Sequence, residues 1–212
     1  MNQFVEKRNE LLADRVIKGL QSRNMEGYYA KNKEEALKIA LSLIPFGSSV
    51  GWGGSVSVEE IGLKQAVCEG NYQVINRDAA KDPEEKRAIE LAIFGADYML
   101  CGSNAITEDG ELVNIDGYGN RVAGIICGPQ NVLMIVGLNK VCKTLQDAIS
   151  RAQNTAAPIN TKRFPIDTPC NTNGACAKCK SEQTICCQYV VTRFSKIKGR
   201  IKIILVNDSL GF

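Results

Sequence analysis

The sequence of 212 residues contains no histidine. A Ser-His-Asp or Cys-His catalytic relay is therefore excluded, and so are histidine-ligated zinc and a histidine general base. Any acid–base chemistry must use Asp, Glu, Lys, Tyr or Cys. The chain also lacks an apolar run of about 18 residues, which is the length that a membrane-spanning helix needs. No membrane span is predicted.

The chain also lacks a large excess of charge of either sign, since 26 Lys and Arg against 23 Asp and Glu leave a formal net charge of +3. Basic residues are not interleaved with aromatic residues, so nucleic-acid binding is not predicted. The local cluster from Arg193 to Lys202 is predicted to be a solvated face. The first residues, MNQFVEKRNELLADRV, lack the apolar core of a signal peptide. A cytoplasmic location is predicted, where clustered cysteines are more typical of metal or redox ligands than of disulfides.

Hydrophobic patterns alternate between helical and strand periods along most of the chain. Helices are predicted at 3–20, 31–44, 57–70 (with Ser57 as N-cap), 82–95 (with Asp82 as N-cap), 120–128 (with a strand as the alternative) and 139–158 (ending at Pro158). Strands are predicted at 48–54, 72–77, 96–102, 131–137, 190–194 and 200–206, with a hairpin over 105–115. This alternation predicts an α/β fold with a largely parallel sheet flanked by helices. One domain over 1–212 is predicted, with an N-terminal helical extension at 1–30 and a Cys-rich segment at 167–190.

A glycine loop, GWGGSVSVEEIG (51–62), lies between a predicted strand and a predicted helix. Its glycines would let the backbone approach a ligand closely, and the carboxyl ends of parallel strands are where ligands gather. The pattern is neither a G-x-G-x-x-G fingerprint nor a Walker loop, and a purely structural turn is the alternative. The candidate ligand-binding residues are Gly51, Trp52, Gly53, Gly54 and Ser55.

A second polar cluster, SNAITEDG (103–110) with NIDGYGNR (114–121), is predicted at the same end of the sheet. Small and amide side chains suit a polar ligand, and ordinary turn chemistry is the alternative. The candidate ligand-binding residues here are Ser103, Asn104, Thr107, Asp116, Gly119, Asn120 and Arg121.

Five of the nine cysteines lie in DTPCNTNGACAKCKSEQTICC (167–187), with the spacing C-x5-C-x2-C-x6-C-C. A zinc ribbon would prefer two C-x-x-C pairs, whereas disulfides would leave one of five thiols over. A [4Fe–4S] cluster takes four thiolates at uneven spacing and is favoured, with zinc and free or disulfide-bonded thiols as alternatives. The other four cysteines are predicted to be buried apolar residues: Cys68, Cys101, Cys127 and Cys142.

The block SNAITEDGELVNIDGYGNRVAGIICGPQNVLMIVGLNK (103–140) resembles the lactate-utilisation (LUD) domain family. The family's acidic-Gly hairpin, D-G-x-G-N-R segment, G-P turn and strand ending in G-x-N-K match Asp109-Gly110, 116–121, Gly128-Pro129 and 137–140. GWGGSVSV resembles its G-G-S segment, and RIKIILVNDSLGF resembles its closing strand. The resemblance runs over essentially the whole chain.

This resemblance implies a fold like that of sugar-phosphate isomerases and CoA transferases, and a role in lactate or organic-acid utilisation beside redox or iron–sulfur partner subunits. It implies Cys170, Cys176, Cys179 and Cys186 as cluster ligands. Cys187 falls where family members need not have cysteine, and it is either spare or a replacement for Cys186 as ligand. It leaves open whether the protein is an enzyme. One alternative function is a metabolic enzyme that binds a phosphorylated or CoA-linked small anion at the glycine loop, with the metal segment structural. The candidate carboxylates for such chemistry are Glu59, Glu60, Glu108 and Asp109.

Overall fold

The structure is a computed structural model that describes residues 2–212. The strands are β1 (Glu26–Ala30), β2 (Ser49–Trp52), β3 (Gln73–Ile75), β4 (Tyr98–Cys101), β5 (Ala105–Thr107), β6 (Leu112–Asp116), β7 (Asn131–Gly137), β8 (Val141–Cys142), β9 (Gln188–Thr192) and β10 (Ile201–Val206). The helices are α1 (Gln3–Ser22), α2 (Lys33–Leu43), α3 (Val56–Glu60), α4 (Leu63–Glu69), α5 (Pro83–Phe94), α6 (Asn120–Ile126), α7 (Leu145–Arg151), α8 (Ala157–Thr161) and α9 (Pro169–Asn173).

Six parallel strands form the central sheet, in the order β1-β10-β7-β4-β2-β3. Its middle strands are apolar along their whole length because both faces are covered by helices. Helices α2, α3 and α4 pack on one face, while α1, α5 and α6 pack on the other. The predicted α/β fold with a largely parallel sheet flanked by helices is confirmed.

A second sheet of four short strands has the order β8-β5-β6-β9. Two of its strands begin shortly after central strands end, since three residues separate β5 from Cys101 in β4 and three separate β8 from Gly137 in β7. Ala148 and Ala152 pack on Val113 and Ile115 of this sheet. Because the central strands are parallel, the loops after β2, β4, β7 and β10 lie at one edge of the central sheet, next to the second sheet.

Two predicted helix boundaries were wrong near the glycine loop and the N-terminus. The N-cap of α3 is Ser55 rather than Ser57, and the helix predicted over 57–70 is divided at Gly62, whose φ is +74°. Residues 26–30, predicted within a helical extension, form β1, because Asn24 (φ +60°) turns the chain out of α1 and into the sheet.

The helix predicted over 139–158 also differs at both ends. Residues 138–142 form a 3₁₀ turn and β8, so α7 begins only after Thr144, whose side chain and that of Asp147 make a capping box. Pro158 does not end the helix. It lies in the first turn of α8, directly after a π-helical turn (Ala152–Ala156), where a missing N–H is tolerated.

The basic cluster from Arg193 to Lys202 is not a solvated face throughout. Arg200 is buried and its guanidinium donates to the backbone oxygens of Gly124, Ile125 and Pro129. These acceptors belong to the last turn of α6 and the loop after it. Within residues 2–212, no helix combines the length and apolar character that crossing a membrane requires.

Candidate functional site

The glycine loop lies at the carboxyl edge of the central sheet, as predicted. A Cβ on Gly51 would lie 2.6 Å from Cγ1 of Ile93, so glycine is required there by packing of α5. A Cβ on Gly53 would lie 3.1 Å from Cγ of Arg121. The neighbouring Gly54 is exposed and faces open space. The loop therefore has one side packed on the second polar cluster and one side open to a ligand.

Trp52 is 3% exposed and belongs to the hydrophobic core. Its Nε1 donates to Oδ2 of Asp78 at 2.9 Å, and Nζ of Lys64 lies 5.3 Å from the centre of its ring. Burial raises the pKa of Asp78, but the hydrogen bonds from Lys64 and Trp52 outweigh it and lower the pKa. These contacts give Trp52 a packing role, and its role in ligand binding stays a prediction.

Arg121 joins the two sheets through its guanidinium group. Its Nη1 donates to the Gly102 oxygen (3.1 Å) and Oδ1 of Asn114 (2.7 Å), while Nη2 donates to Oδ1 of Asn104 (3.0 Å) and the Ile115 oxygen (2.7 Å). Four such bonds fix the turn after β4 against β6. Since Gly53 packs on the same side chain, the two predicted clusters do come together, with Arg121 between them.

The other predicted polar residues make hydrogen bonds within the protein. Oγ of Ser103 donates to the Ala105 oxygen (2.9 Å), and Oγ1 of Thr107 accepts from the Glu111 N–H (2.9 Å) in the hairpin. Asn120 donates to Glu90 at 2.6 Å. The contacts of Ser103 and Thr107 are those of turn chemistry, whereas that of Asn120 joins α6 to α5. Ligand binding by these three remains a prediction.

Asp116 and Gly119 shape the start of α6. Oδ2 of Asp116 accepts from the Val122 N–H at 3.1 Å and lies 3.7 Å from Nε of Arg121. Gly119 is the N-cap, and its φ of +80° favours glycine. Their local role is to position α6 and, through it, Arg121.

Lys140 and Ser57 belong to the same edge but were not selected from the sequence. Nζ of Lys140 donates to Oγ of Ser57 at 3.1 Å, with the two residues 3% and 1% exposed. No carboxylate of residues 2–212 forms an ion pair with Lys140. Burial lowers its pKa to about 7, helped by the positive charges of Arg151 and Arg121 and opposed by Glu60. The available signal was that Lys140 closes the G-x-N-K segment (137–140) at the end of the apolar strand NVLMIVG.

Asn114 begins the predicted polar segment 114–121 but was not among the selected ligand-binding residues, because it also belongs to an apolar strand. It is fully buried in β6. Its Oδ1 accepts from Arg121, but its Nδ2 has no hydrogen-bond partner among residues 2–212. A buried donor without an acceptor is uncommon in folded proteins.

The candidate carboxylates are spread over two places. Glu60 accepts from the Gly211 N–H at 2.9 Å, and Glu59 lies 3.8 Å from Nζ of Lys64. The hairpin residues make surface ion pairs instead, Glu108 with Arg15 and Lys143, and Asp109 with Arg23. Only Glu60 among these four is also an electrostatic neighbour of Lys140.

Four cysteines of the Cys-rich segment line one cavity of about 330 Å³: Cys170, Cys176, Cys179 and Cys186. Residues of α8 and the loops on either side of α9 form its walls. Cys187 does not line the cavity. It is exposed, and its Sγ donates to the Thr184 oxygen at 3.7 Å. The structure thus separates four thiols from the fifth.

The four thiols of the cavity influence one another electrostatically. The pKa of Cys186 is raised to about 11, first by burial and then by the charges of Cys170, Cys176 and Cys179. A thiol in this environment stays protonated at neutral pH unless a cation binds, since a coordinating metal deprotonates its thiols.

The donor set suits a thiolate-bound group, but the spacing does not suit one ion. Within residues 2–212, no three Cys, Asp or Glu side chains form a group that could hold a metal ion. Tetrahedral zinc, with Zn–S bonds of about 2.3 Å, would need sulfurs roughly 4 Å apart. A four-iron cluster spreads its four cysteine ligands over a larger group.

The remaining cysteines were only partly predicted. Cys101 is fully buried and burial raises its pKa to about 12, whereas Cys142 is half-buried. The prediction that Cys68 and Cys127 are buried was wrong. Both are exposed, Cys68 in the last turn of α4 and Cys127 directly after α6, because those helix ends face solvent.

Comparison with known proteins agrees with this architecture. A family model described as the LUD domain matches residues 13–206. A DUF162 family protein from Deinococcus radiodurans, solved as a crystal structure, is similar in fold, with a TM-score of 0.54, 10% identity, and coverage of 94% of this chain and 98% of that chain. Ribose 5-phosphate isomerase A from Neisseria gonorrhoeae gives a TM-score of 0.35 at 15% identity, covering 53% and 54% of the two chains. No curated protein matches the chain.

Proposed function

The chain belongs to the LUD domain family, and on that premise we propose that it serves lactate or related organic-acid utilisation with a thiolate-bound [4Fe–4S] cluster. The observation that carries the proposal is that Cys170, Cys176, Cys179 and Cys186 line one cavity, while Cys187 lies outside it. We further propose a cytoplasmic location and a redox or accessory role beside iron–sulfur partner subunits.

The residues of the cavity fit such a cluster in their chemistry. Four thiols are the full ligand set of a cubane cluster, and the chain has no histidine to complete a mixed site. When bound, the cluster would supply one-electron transfer. The protein's own groups would hold the thiolates, and Gln153 and the Lys178 N–H would donate hydrogen bonds to the Cys176 sulfur. Zinc bound by the same thiols is the alternative occupant.

Anaerobic purification tests the proposal directly. Brown protein with visible absorption and about four irons and four sulfides per chain is expected. Colourless protein that contains stoichiometric zinc supports the alternative, and protein without either metal after anaerobic reconstitution contradicts both.

Single Cys→Ser variants then identify the ligands. Replacing Cys170, Cys176, Cys179 or Cys186 should each lower the bound iron and change the spectrum. Cys187→Ser should retain the wild-type iron content, as should the matched controls Cys68→Ser and Cys127→Ser at exposed positions. Equal iron loss in Cys186→Ser and Cys187→Ser would contradict the proposed ligand set.

We propose as a second function that the glycine loop binds a small anionic metabolite, phosphorylated or CoA-linked. The favouring observation is that Gly53 packs on Arg121 while Gly54 faces open space, so one surface joins both polar clusters. A thermal-shift screen with sugar phosphates, nucleotides and acyl-CoA should give at least one stabilising ligand. A screen without any stabilising compound would count against this function.

A further inference from the structure

We propose that Lys140 and Ser57 form the anion-binding centre of the glycine-loop site, where they receive an oxyanion group (carboxylate or phosphate) of the ligand. This inference deepens the second function proposed above and rests on it, and it is independent of any metal.

The position of the pair supports this role. Lys140 follows β7, next to the middle of the central sheet, and Ser57 lies in α3 just beyond the glycine loop. A Cβ on Gly102, in the turn after β4, would lie 3.0 Å from Oγ of Ser55 and 3.9 Å from Oγ of Ser57. Loops from three parallel strands thus converge where ligands of open α/β sheets bind.

Within residues 2–212, no carboxylate pairs with the positive charge of Lys140. Lys140 is almost fully buried, its hydrogen-bond partner is the neutral Ser57, and the strongest charged neighbours are the cations Arg151 and Arg121. A buried ammonium is costly unless it is paired. Glu60 is the acidic group that opposes them, and it accepts the Gly211 N–H.

An independent polar group points the same way. Nδ2 of Asn114 is a buried donor without an acceptor, and the other end of that amide holds Arg121. Arg121 in turn holds the turn at Gly102 that adjoins Ser55 and Ser57. Buried donors such as Nζ of Lys140 and Nδ2 of Asn114 suit a ligand that only accepts hydrogen bonds, as a carboxylate or phosphate does.

Access to the pair is controlled by the backbone near Gly211. A Cβ placed there would lie 2.8 Å from Oγ of Ser57 and 3.4 Å from Nζ of Lys140. This stretch is held by the bonds of Gly211 N–H to Glu60 and of Leu210 N–H to Oδ1 of Asn139 (3.2 Å). An entering oxyanion would displace Gly211 and take its place above Lys140.

The test compares anion binding by wild type, Lys140→Met, Ser57→Ala and the control Lys143→Met, whose lysine is exposed and pairs with Glu108. The probes are inorganic phosphate and acetate, titrated in a thermal-shift or calorimetric assay against chloride at equal ionic strength. Lys140→Met replaces a buried charge by an apolar chain of similar length, so it should fold.

We expect at least one probe to stabilise wild type and Lys143→Met, with a Kd about tenfold or more weaker in Lys140→Met and weakened also in Ser57→Ala. Preference for phosphate over acetate would identify a phosphorylated ligand, and the reverse a carboxylate. If a probe, or any hit of the metabolite screen, binds Lys140→Met as tightly as wild type, this inference is overturned while the glycine-loop function stands. If neither the probes nor any compound of the screen stabilises wild type, this inference and the glycine-loop function are both contradicted.

Discussion

Gln153 Nε2 lies 3.6 Å from the Cys176 sulfur, and Gln153 stands in the π-helical turn that follows Arg151. Arg151 is an electrostatic neighbour of Lys140 and donates to the Asn139 oxygen at 3.1 Å. The end of α7 therefore contacts the edge of the sheet where Lys140 lies, and the π-helical turn that follows it contacts the Cys-rich cavity. Such π-helical turns occur frequently at functional sites.

The first prediction concerns Gln153 and rests on the proposed cluster. Hydrogen bonds to cluster sulfurs stabilise the more negative, reduced state. Gln153→Leu should therefore lower the reduction potential, by about 40 mV if one bond contributes about 1 kcal/mol to a one-electron couple. Asn154→Leu is the matched control, because Asn154 is exposed and donates to Ser150. Spectroelectrochemical titration of wild type and both variants measures the reduction potentials. Equal potentials for Gln153→Leu and wild type would show that the contact has no electronic role.

The second prediction concerns the pH dependence that Lys140 gives to stability. Its pKa is about 7 in the folded protein and 10.5 in an exposed lysine. Between these values the unfolded chain binds more protons, so the free energy of unfolding should rise with pH across the window. The cost of the buried charge is fully present below about pH 7, and on the order of 4 kcal/mol is relieved toward pH 10.

Lys140→Met removes that cost, so the free energy of unfolding of this variant should change less with pH over the same interval. Urea denaturation of wild type, Lys140→Met and Lys143→Met at several pH values measures the difference. Wild type should approach the stability of Lys140→Met as the pH rises, and Lys143→Met should follow wild type. Parallel curves for wild type and Lys140→Met would mean that Lys140 is not buried as a titrating group.

The third prediction separates the two adjacent glycines of the loop. Gly53→Ala brings a methyl group to 3.1 Å from Arg121 Cγ, so it should destabilise the protein by about 1 kcal/mol or more through crowding. Gly54→Ala meets open space at a φ that is not left-handed, so its stability should change by less than about 0.5 kcal/mol. Chemical denaturation measures both. Equal destabilisation would contradict the packing of the loop on Arg121.

Most of the fold follows from local patterns in the sequence. NVLMIVG predicted a buried strand because a strand covered by helices on both faces is apolar throughout, and β7 has that structure. Asp82 and Pro83 predicted the start of α5 through N-cap chemistry. The strand β1 escaped prediction because EGYYA has little apolar periodicity and joins the sheet only by pairing with β10, which is about 175 residues away in sequence.

Candidate site residues that come directly after strands could be predicted from the sequence. Those whose role depends on being buried in the folded protein could not. Glycine and asparagine after strands indicated the carboxyl edge, and the structure brings Gly53 and Arg121 into contact there. Nothing local in LNK distinguishes a buried lysine from an exposed one, since burial of Lys140 results from α3 and the stretch near Gly211 closing over it. The separation of Cys187 from Cys186 likewise depends on the tertiary path of the loop, which spacing alone does not fix.

The fourth prediction concerns Arg200, whose burial also depends on tertiary structure. Its guanidinium donates to three backbone oxygens at and beyond the end of α6, and those acceptors would lose their partners in Arg200→Met. Leaving buried carbonyls unpaired should cost about 3 kcal/mol, whereas Arg193→Met, at an exposed position of the same basic cluster, should cost less than about 0.5 kcal/mol. Arg200→Lys should recover little of the stability lost in Arg200→Met, because an ammonium group cannot reproduce the forked donor geometry of a guanidinium group. Thermal or urea unfolding of the three variants gives the comparison. Similar stabilities of Arg200→Met and Arg193→Met would mean that Arg200 is solvated like the rest of the cluster.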